Sequence, residues 1–100
     1  MANLIIVDPR DNVATTVASL AQGDALQAGY TGRDVPPSAR QAVPTGHKVA
    51  LTDFSEGDEI VKYGAVIGVA TTGIVAGDHV HIHNIASTRI RGDLKAGDLT

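Results

Sequence analysis

Short apolar runs separated by turn-forming residues dominate the pattern of this chain. Residues 4–7 form one such run, and the segment after it contains Pro9, Asp11 and Asn12. This arrangement predicts a strand followed by a turn. Residues 13–20 fit either a strand or a weak helix, and Gly23-Asp24 ends that segment in both cases.

An internal echo predicts that similar corners recur along the chain. Each copy combines β-branched residues with a Gly-Asp pair, which suits a strand–turn–strand corner where glycine supplies an unusual φ. The copies are Val49-Ala50-Leu51-Thr52 with Gly57-Asp58, Val69-Ala70-Thr71-Thr72 with Gly77-Asp78, and more loosely Val13-Ala14-Thr15-Thr16 with Gly23-Asp24. Because the echo is too short for a stacked repeat array, it predicts pseudo-symmetry within one folded-over β structure.

Two segments depart from regular strand patterning. Residues 29–44 collect Gly and Pro, a composition that disfavours ladder pairing and predicts a long, mobile surface loop. Gly64 and Gly68 interrupt a strand-like run over residues 62–70. Glycines inside strands usually mark bulges or close backbone approach, so we expect a sharply bent strand there.

Length and composition point to one small β domain. The chain has 100 residues, of which 43% are hydrophobic and only 3% aromatic. The core must therefore be built from Val, Ile, Leu and Ala, and the β-branched members favour strands. Such a core is thin, so docking to a larger partner would add stability.

Composition also argues against several functional classes. The absence of cysteine excludes disulfides and thiolate metal sites. The net charge of -3, with no basic stretch interleaved with aromatics, makes nucleic acid an unexpected partner. The chain has no membrane-length apolar run or basic leader, which predicts a cytoplasmic protein without a membrane partner. Phosphate-cradling loops and the serine nucleophile elbow are missing, so nucleotide chemistry and serine hydrolysis are not expected.

The four histidines concentrate the candidate chemistry at two places. His47 follows Gly46, and the other three alternate as His79, His81 and His83. If residues 79–83 are extended, the period of two puts these three imidazoles on one face. Val80 and Ile82 would then point to the opposite, apolar face.

Several kinds of chemistry remain open for these side chains. Alternate strand residues lie roughly 7 Å apart, so His79 and His81 could converge on one metal ion. Imidazole also titrates near neutral pH and can transfer protons. A solvated strand face is the competing interpretation, and a lone His47 is more often structural. Arg89 and Lys48 are candidate donors for a substrate carboxylate.

The sequence motifs resemble the altronate and galactarate dehydratase family. The resemblance covers residues 10–91 and is carried by Gly46-His47-Lys48-Val49-Ala50-Leu51, Gly57-Asp58, Val61-Lys62-Tyr63-Gly64, Ile67-Gly68 and the run from Ala76 to Asn84. It implies a single small SAF-type domain with a β-clip fold over residues 1–100. The core would span about residues 10–91, with residues 92–100 as a tail or linker.

The resemblance also implies a shared active site. The module would join a large catalytic dehydratase subunit or domain, as in the related sulfolactate sulfo-lyases, and would be inactive alone. The reaction would remove water from a sugar acid such as altronate or galactarate, assisted by a divalent metal (iron, manganese or magnesium) held mainly by the large part. The residues implied as catalytic are His47, His79 and His81, and those implied as substrate-binding are His83, Asn84, Lys48, Tyr63 and Arg89.

Two other interpretations remain open at this point. The chain could be a free-standing SAF-type module that binds an anionic carbohydrate or a metal ion without catalysis. It could also be a structural subunit that covers the opening of a larger enzyme, with its histidines as surface residues. Association with further copies of itself is also left open.

Overall fold

The computed structural model of this chain describes residues 2–28 and 34–87. Within them the chain forms seven strands and no helix, which confirms the prediction of a small β domain. Residues 13–16 form a strand, so of the strand and helix alternatives for this segment the strand is correct. No helix in this part of the chain could cross a membrane. The strands are β1 (Leu4–Ile5), β2 (Val13–Thr16), β3 (Lys48–Ala50), β4 (Glu59–Lys62), β5 (Ala65–Ala70), β6 (His79–Val80) and β7 (Ile85–Ser87).

The strands form two antiparallel sheets. One has the order β1-β2-β3-β6 and the other the order β4-β5-β7. In the first sheet Lys48 of β3 lies opposite Val80, and Val49 lies opposite His79 of β6. This register places the chain just after His47 beside the strand that begins with His79, although the two histidines are far apart in sequence.

Strands β2 and β3 have apolar residues on both faces. Ala14 and Val49 belong to one buried cluster with Leu4. Val13 and Ala50, their strand neighbours, belong to a second cluster. The side-chain period of two therefore sends alternate residues into two cores, which lets small and β-branched side chains supply most of the buried surface in a chain with few aromatics.

The two glycines expected to bend a strand have different roles. Tyr63 and Gly64 have φ values of 57° and 76° and form the two-residue turn between β4 and β5. The expectation for Gly64 is thus wrong, because it lies in a hairpin turn. Gly68 does lie within β5, where an added Cβ would collide with the carbonyl oxygen of Ala86, and the register of β4 and β5 shifts nearby. Close approach at Gly68 is confirmed.

The Pro/Gly segment differs from the expected surface excursion. Over residues 34–44 the backbone forms no named strand, but Pro36, Ala39 and Val43 are buried. Isolated bridges join Val43 to Leu20 and Ser38 to Ala25. The apolar members of this segment hold it against the core, whereas residues 29–33 and the expected tail over residues 92–100 lie outside the described residues.

Four corners of the fold share one backbone pattern. In each, a glycine with φ between 86° and 95° donates its N–H to a carbonyl oxygen of another strand or bridge segment. The four bonds are Gly23 to Ala39, Gly46 to Thr16, Gly57 to Ala70 and Gly77 to Ala50. The sequence echo predicted three of these corners, and the structure adds a fourth at Gly46-His47.

Candidate functional site

His47 owes its position to the fourth corner. At the other three, an aspartate carboxylate accepts the N–H of the residue three positions earlier, at 2.7 to 2.8 Å: Asp24 from Ala21, Asp58 from Ser55 and Asp78 from Val75. The residue three positions before His47 is Pro44, which has no N–H to donate. A capping carboxylate would have no partner there, so this position is free to carry an imidazole.

His79 and His81 come from the end of the opposite strand. Strand β6 stops at Val80, and residues 81–84 form a turn in which the N–H of Asn84 donates to the His81 carbonyl at 3.1 Å. The expectation that residues 79–83 form one extended strand is therefore wrong. Val80 is fully buried, but Ile82 is 82% exposed at the tip of the turn.

The turn nevertheless brings the imidazoles together. The rings of His47 and His81 stack with centroids 3.7 Å apart, and those of His47 and His79 lie 5.0 Å apart. Nδ1 of His47 and Nε2 of His79 are 2.8 Å apart, so one donates a hydrogen bond to the other. His83 lies at the border of this group, with its ring 5.0 Å from that of His79.

Burial and mutual repulsion favour the neutral form of two imidazoles. The pKa of His79 is lowered from 6.5 chiefly by desolvation, and then by His83, His47, His81 and Lys48. Desolvation also leads the lowering of the His81 pKa, followed by His47, Lys48 and His83. Neutral imidazoles can accept a proton or bind a metal ion.

His47, His79 and His81 form a group that could hold a metal ion. One ring nitrogen from each lies within 4.8 Å of the others. Nδ1 of His81 is buried and has no hydrogen-bond partner within the described residues. Since an unsatisfied buried nitrogen is costly, this atom indicates a place for a further ligand.

The sequence of this site matches a known family. The model of the altronate/galactarate dehydratase SAF domain matches residues 2–88 of the chain. The chain belongs to this family.

Relatives of this SAF domain include proteins of very different length. Altronate dehydratase of Escherichia coli is 46% identical over 74 residues, which are 74% of this chain and 14% of that protein. Altronate dehydratase of Bacillus subtilis is 36% identical over 84% of this chain and 16% of its own length. The (2R)-sulfolactate sulfo-lyase subunit alpha of Chromohalobacter salexigens is 29% identical over 87% of this chain and 96% of the relative.

The SAF domain therefore spans about one sixth or less of the altronate dehydratases that it resembles. It spans nearly all of the sulfo-lyase subunit alpha. The expected kinship with both kinds of lyase is confirmed.

Of three other predicted site residues, Lys48 and Tyr63 lie in different places in the SAF domain. Lys48 follows His47 and is half-buried, and its pKa is lowered by desolvation first and by Lys62 second. Tyr63 is 52% exposed, and its ring lies 4.8 Å from the Lys62 ammonium. Arg89 lies outside the described residues. The substrate-binding roles of all three stay predictions.

Asn84 lies beneath the histidine turn and is only 6% exposed. Its Nδ2 donates to the carbonyl oxygen of His79 at 2.9 Å, and its Oδ1 accepts the N–H of His81 at 2.9 Å. The side-chain amide is thus occupied by the backbone of the two histidines that it follows.

Two residues at the site were missed from sequence. Oε1 of Gln41 accepts the N–H of His79 at 2.9 Å, on the side of β6 that faces away from β3. No sequence motif predicts the contact between Gln41 and His79. Pro44 could have been found from the sequence, because aligning residues 43–47 with residues 54–58 places Pro44 opposite Ser55 and His47 opposite Asp58.

Proposed function

We propose that this chain is the SAF module of a hydro-lyase that dehydrates a sugar acid such as altronate or galactarate. In this proposal His47, His79 and His81 enter an active site shared with a large catalytic subunit or domain. The packed trio of imidazoles carries the proposal, because a merely solvated strand face would not bury Nδ1 of His81 without a partner.

The trio suits the proton transfers of a dehydration. Loss of water breaks a C–H bond beside the carboxylate and a C–O bond at the next carbon, and it forms a C=C bond. A base takes the proton from carbon and an acid delivers one to the departing hydroxyl. The lowered pKa values keep His79 and His81 able to accept protons near neutral pH. The bond between His47 and His79 fixes their ring orientation.

In an alternative use that replaces proton transfer, the same nitrogens fit a divalent metal. His47, His79 and His81 would hold it, and Nδ1 of His81 is the buried atom without a partner. Imidazole suits iron better than magnesium or manganese, which prefer oxygen ligands. Such an ion, when bound, stabilises negative charge that develops on a substrate oxygen.

An exposed turn supports a shared site. Ile82, between His81 and His83, is 82% exposed, the largest exposed fraction among the large hydrophobic side chains of the described residues. The altronate dehydratases contain several times as many residues as this chain matches. We assign the surface that covers Ile82 to the large catalytic part.

Reconstitution tests the proposal. The tagged chain would be co-purified from its native host with its large partner, and lyase activity would be measured on altronate, galactarate and sulfolactate. We expect activity on a sugar acid with the pair and none with the chain alone. His81→Ala should abolish activity, whereas Glu56→Ala, an exposed change at another corner, should not. A pair active only on sulfolactate would overturn the proposed substrate, and an inactive pair would overturn the lyase assignment.

A second candidate is a binding module without catalysis. Lys48 is half-buried beside His47, and within the described residues it has no carboxylate in an ion pair. An anionic carbohydrate could supply that carboxylate. Calorimetric titration of the chain alone with galactarate distinguishes the two: tight binding without a partner favours the module.

A further inference from the structure

Asn84 has hydrogen bonds suited to holding the histidine turn in one shape. Its amide makes two bonds at 2.9 Å, one to the backbone of His79 and one to that of His81. A carboxamide offers a donor NH2 group and an acceptor oxygen on the same carbon. The two bonds therefore fix the separation of two backbone units whose imidazoles belong to the trio.

The backbone of Asn84 joins this turn to the second sheet. Its N–H donates to the His81 carbonyl at 3.1 Å, and its carbonyl accepts the N–H of Thr71 at 2.9 Å. The next residue, Ile85, begins β7, which pairs with β5. The turn is thus held from below, while Ile82 on its outer side is exposed.

We infer that Asn84 is a positioning residue that sets the geometry of His79 and His81 and makes no direct contact with substrate. This inference deepens the proposed lyase function and rests on it only for the activity measurement. With both amide atoms bonded and 6% of the residue exposed, little of the side chain is available to a substrate. Outer-shell partners of metal-ligating histidines typically cost about 10- to 100-fold in metal affinity or activity when replaced, and we take that range for Asn84.

The chain offers a matched control in Asn12. Its Nδ2 donates to the Glu59 carbonyl at 2.9 Å, and its Oδ1 accepts the N–H of Val61 at 2.7 Å. Asn12 makes the same pair of side-chain bonds, but it lies just before β2, and its partners are in β4 and not at a histidine. In both Asn84→Asp and Asn12→Asp, an acceptor would replace a donor facing a carbonyl oxygen, so both should lose stability.

The first measurement compares imidazole nitrogen chemical shifts of the 100-residue chain by NMR at one pH. We expect the His79 and His81 signals to move in Asn84→Asp and to stay in place in Asn12→Asp. If Asn84→Asp does not fold, Asn84→Ser removes the pair of side-chain bonds without adding charge. Unchanged imidazole signals in a folded Asn84 variant would overturn the inference, whether or not the lyase proposal holds.

The second measurement uses the complex with the large partner. We expect Asn84→Asp to lower kcat by about 10- to 100-fold with a smaller change in KM, and Asn12→Asp to leave both near the wild-type values. A rise in KM alone would instead identify Asn84 as a substrate contact. Equal losses in both variants would reduce it to a stability residue. Absence of activity in the wild-type complex would count against the lyase proposal and leave the NMR comparison to decide.

Discussion

The corner at Gly46-His47 and the corner at Gly57-Asp58 have the same backbone and different uses. Both glycines have positive φ, and both donate to a carbonyl across the fold. Asp58 turns back to accept the N–H of Ser55 at 2.7 Å. His47 instead directs its ring toward His79, 2.8 Å away between nitrogens.

This difference teaches how a repeated corner can acquire a chemical role. A capping aspartate is useful only where the turn supplies an N–H, and proline removes that donor. Pro44 therefore relieves residue 47 of its structural task without altering the backbone pattern of the corner. The other three corners keep their aspartates and hold the scaffold, while this one contributes to the candidate site.

The largest effect that would sharpen this comparison is loss of activity at the histidine corner. In the proposed complex with a large catalytic partner, His47→Ala should lower kcat by about 100-fold or more, because a proton-transfer group or metal ligand is removed. Unfolding in urea should be almost unchanged, since within the described residues the His47 ring bonds a side chain and no backbone group. Steady-state assays and urea titrations measure both. An active His47→Ala complex would show that the corner has no chemical role.

The second prediction replaces the capping aspartate of the Gly57-Asp58 corner and should affect stability where the His47 change affects activity. Asp58→Ala removes the bond to the Ser55 N–H, and we expect the free energy of unfolding to fall by about 1 kcal/mol. Activity of the complex should be retained at a temperature where the variant is folded. Thr52→Ala, an exposed change in the same half of the chain, serves as the control. A loss of activity without a loss of stability would break the distinction between the two corners.

Much of this fold could be predicted from the sequence, for a physical reason. Corners that need positive φ reveal themselves through glycine, and Gly23, Gly57 and Gly77 were identified in this way. The opposite facing of Val49 and Ala50 followed from the strand period, but the burial of both faces in two clusters was not predicted, because such a strand looks like a continuous apolar run. The packed state of residues 34–44 was missed because their prolines outweighed the buried Ala39 and Val43.

The sequence predicted which histidines belong to the candidate site better than it predicted how they are arranged. Alternation of His79 and His81 suggested a common face, but the turn after Val80 depends on Asn84, whose bonds are not visible in sequence. The meeting with His47 depends on the register of β3 against β6, a long-range pairing. Local patterns therefore identified the chemical groups, and tertiary structure determined their arrangement.

A smaller expected effect is the pH dependence of stability that the histidine site contributes. The folded-state pKa values of His79 and His81 lie below 6.5, so the unfolded chain binds more protons as the pH falls past that value. Stability should be full above pH 6.5 and should decline below it. Each group can differ by at most one bound proton between the folded and unfolded states, so its slope stays under about 1.4 kcal/mol per pH unit, and solvent screening lowers it further.

Urea unfolding of the metal-free chain at pH 7.5 and about pH 5.5 measures this slope. His79→Gln should flatten the dependence, because one depressed pKa is removed. Asp58→Asn serves as the corner control and should leave the pH dependence of stability due to His79 and His81 unchanged. A parent chain whose stability does not change between these two pH values would contradict the lowered pKa values that desolvation, and then charge repulsion, give His79 and His81.

The smallest effect tests the equivalence of the corners directly. Pro44→Ala restores an N–H and His47→Asp supplies a carboxylate, but only the double variant can form the bond seen at Ser55 and Asp58. Replacing proline raises the conformational entropy of the unfolded chain, so Pro44→Ala alone should be neutral or destabilising. His47→Asp alone finds no N–H at Pro44, so it should be neutral or destabilising as well. We expect a favourable coupling of about 0.5 kcal/mol in a double-mutant cycle of urea unfolding. Strict additivity would mean that the likeness ends at the backbone; coupling would show that Pro44 is what released residue 47 from capping.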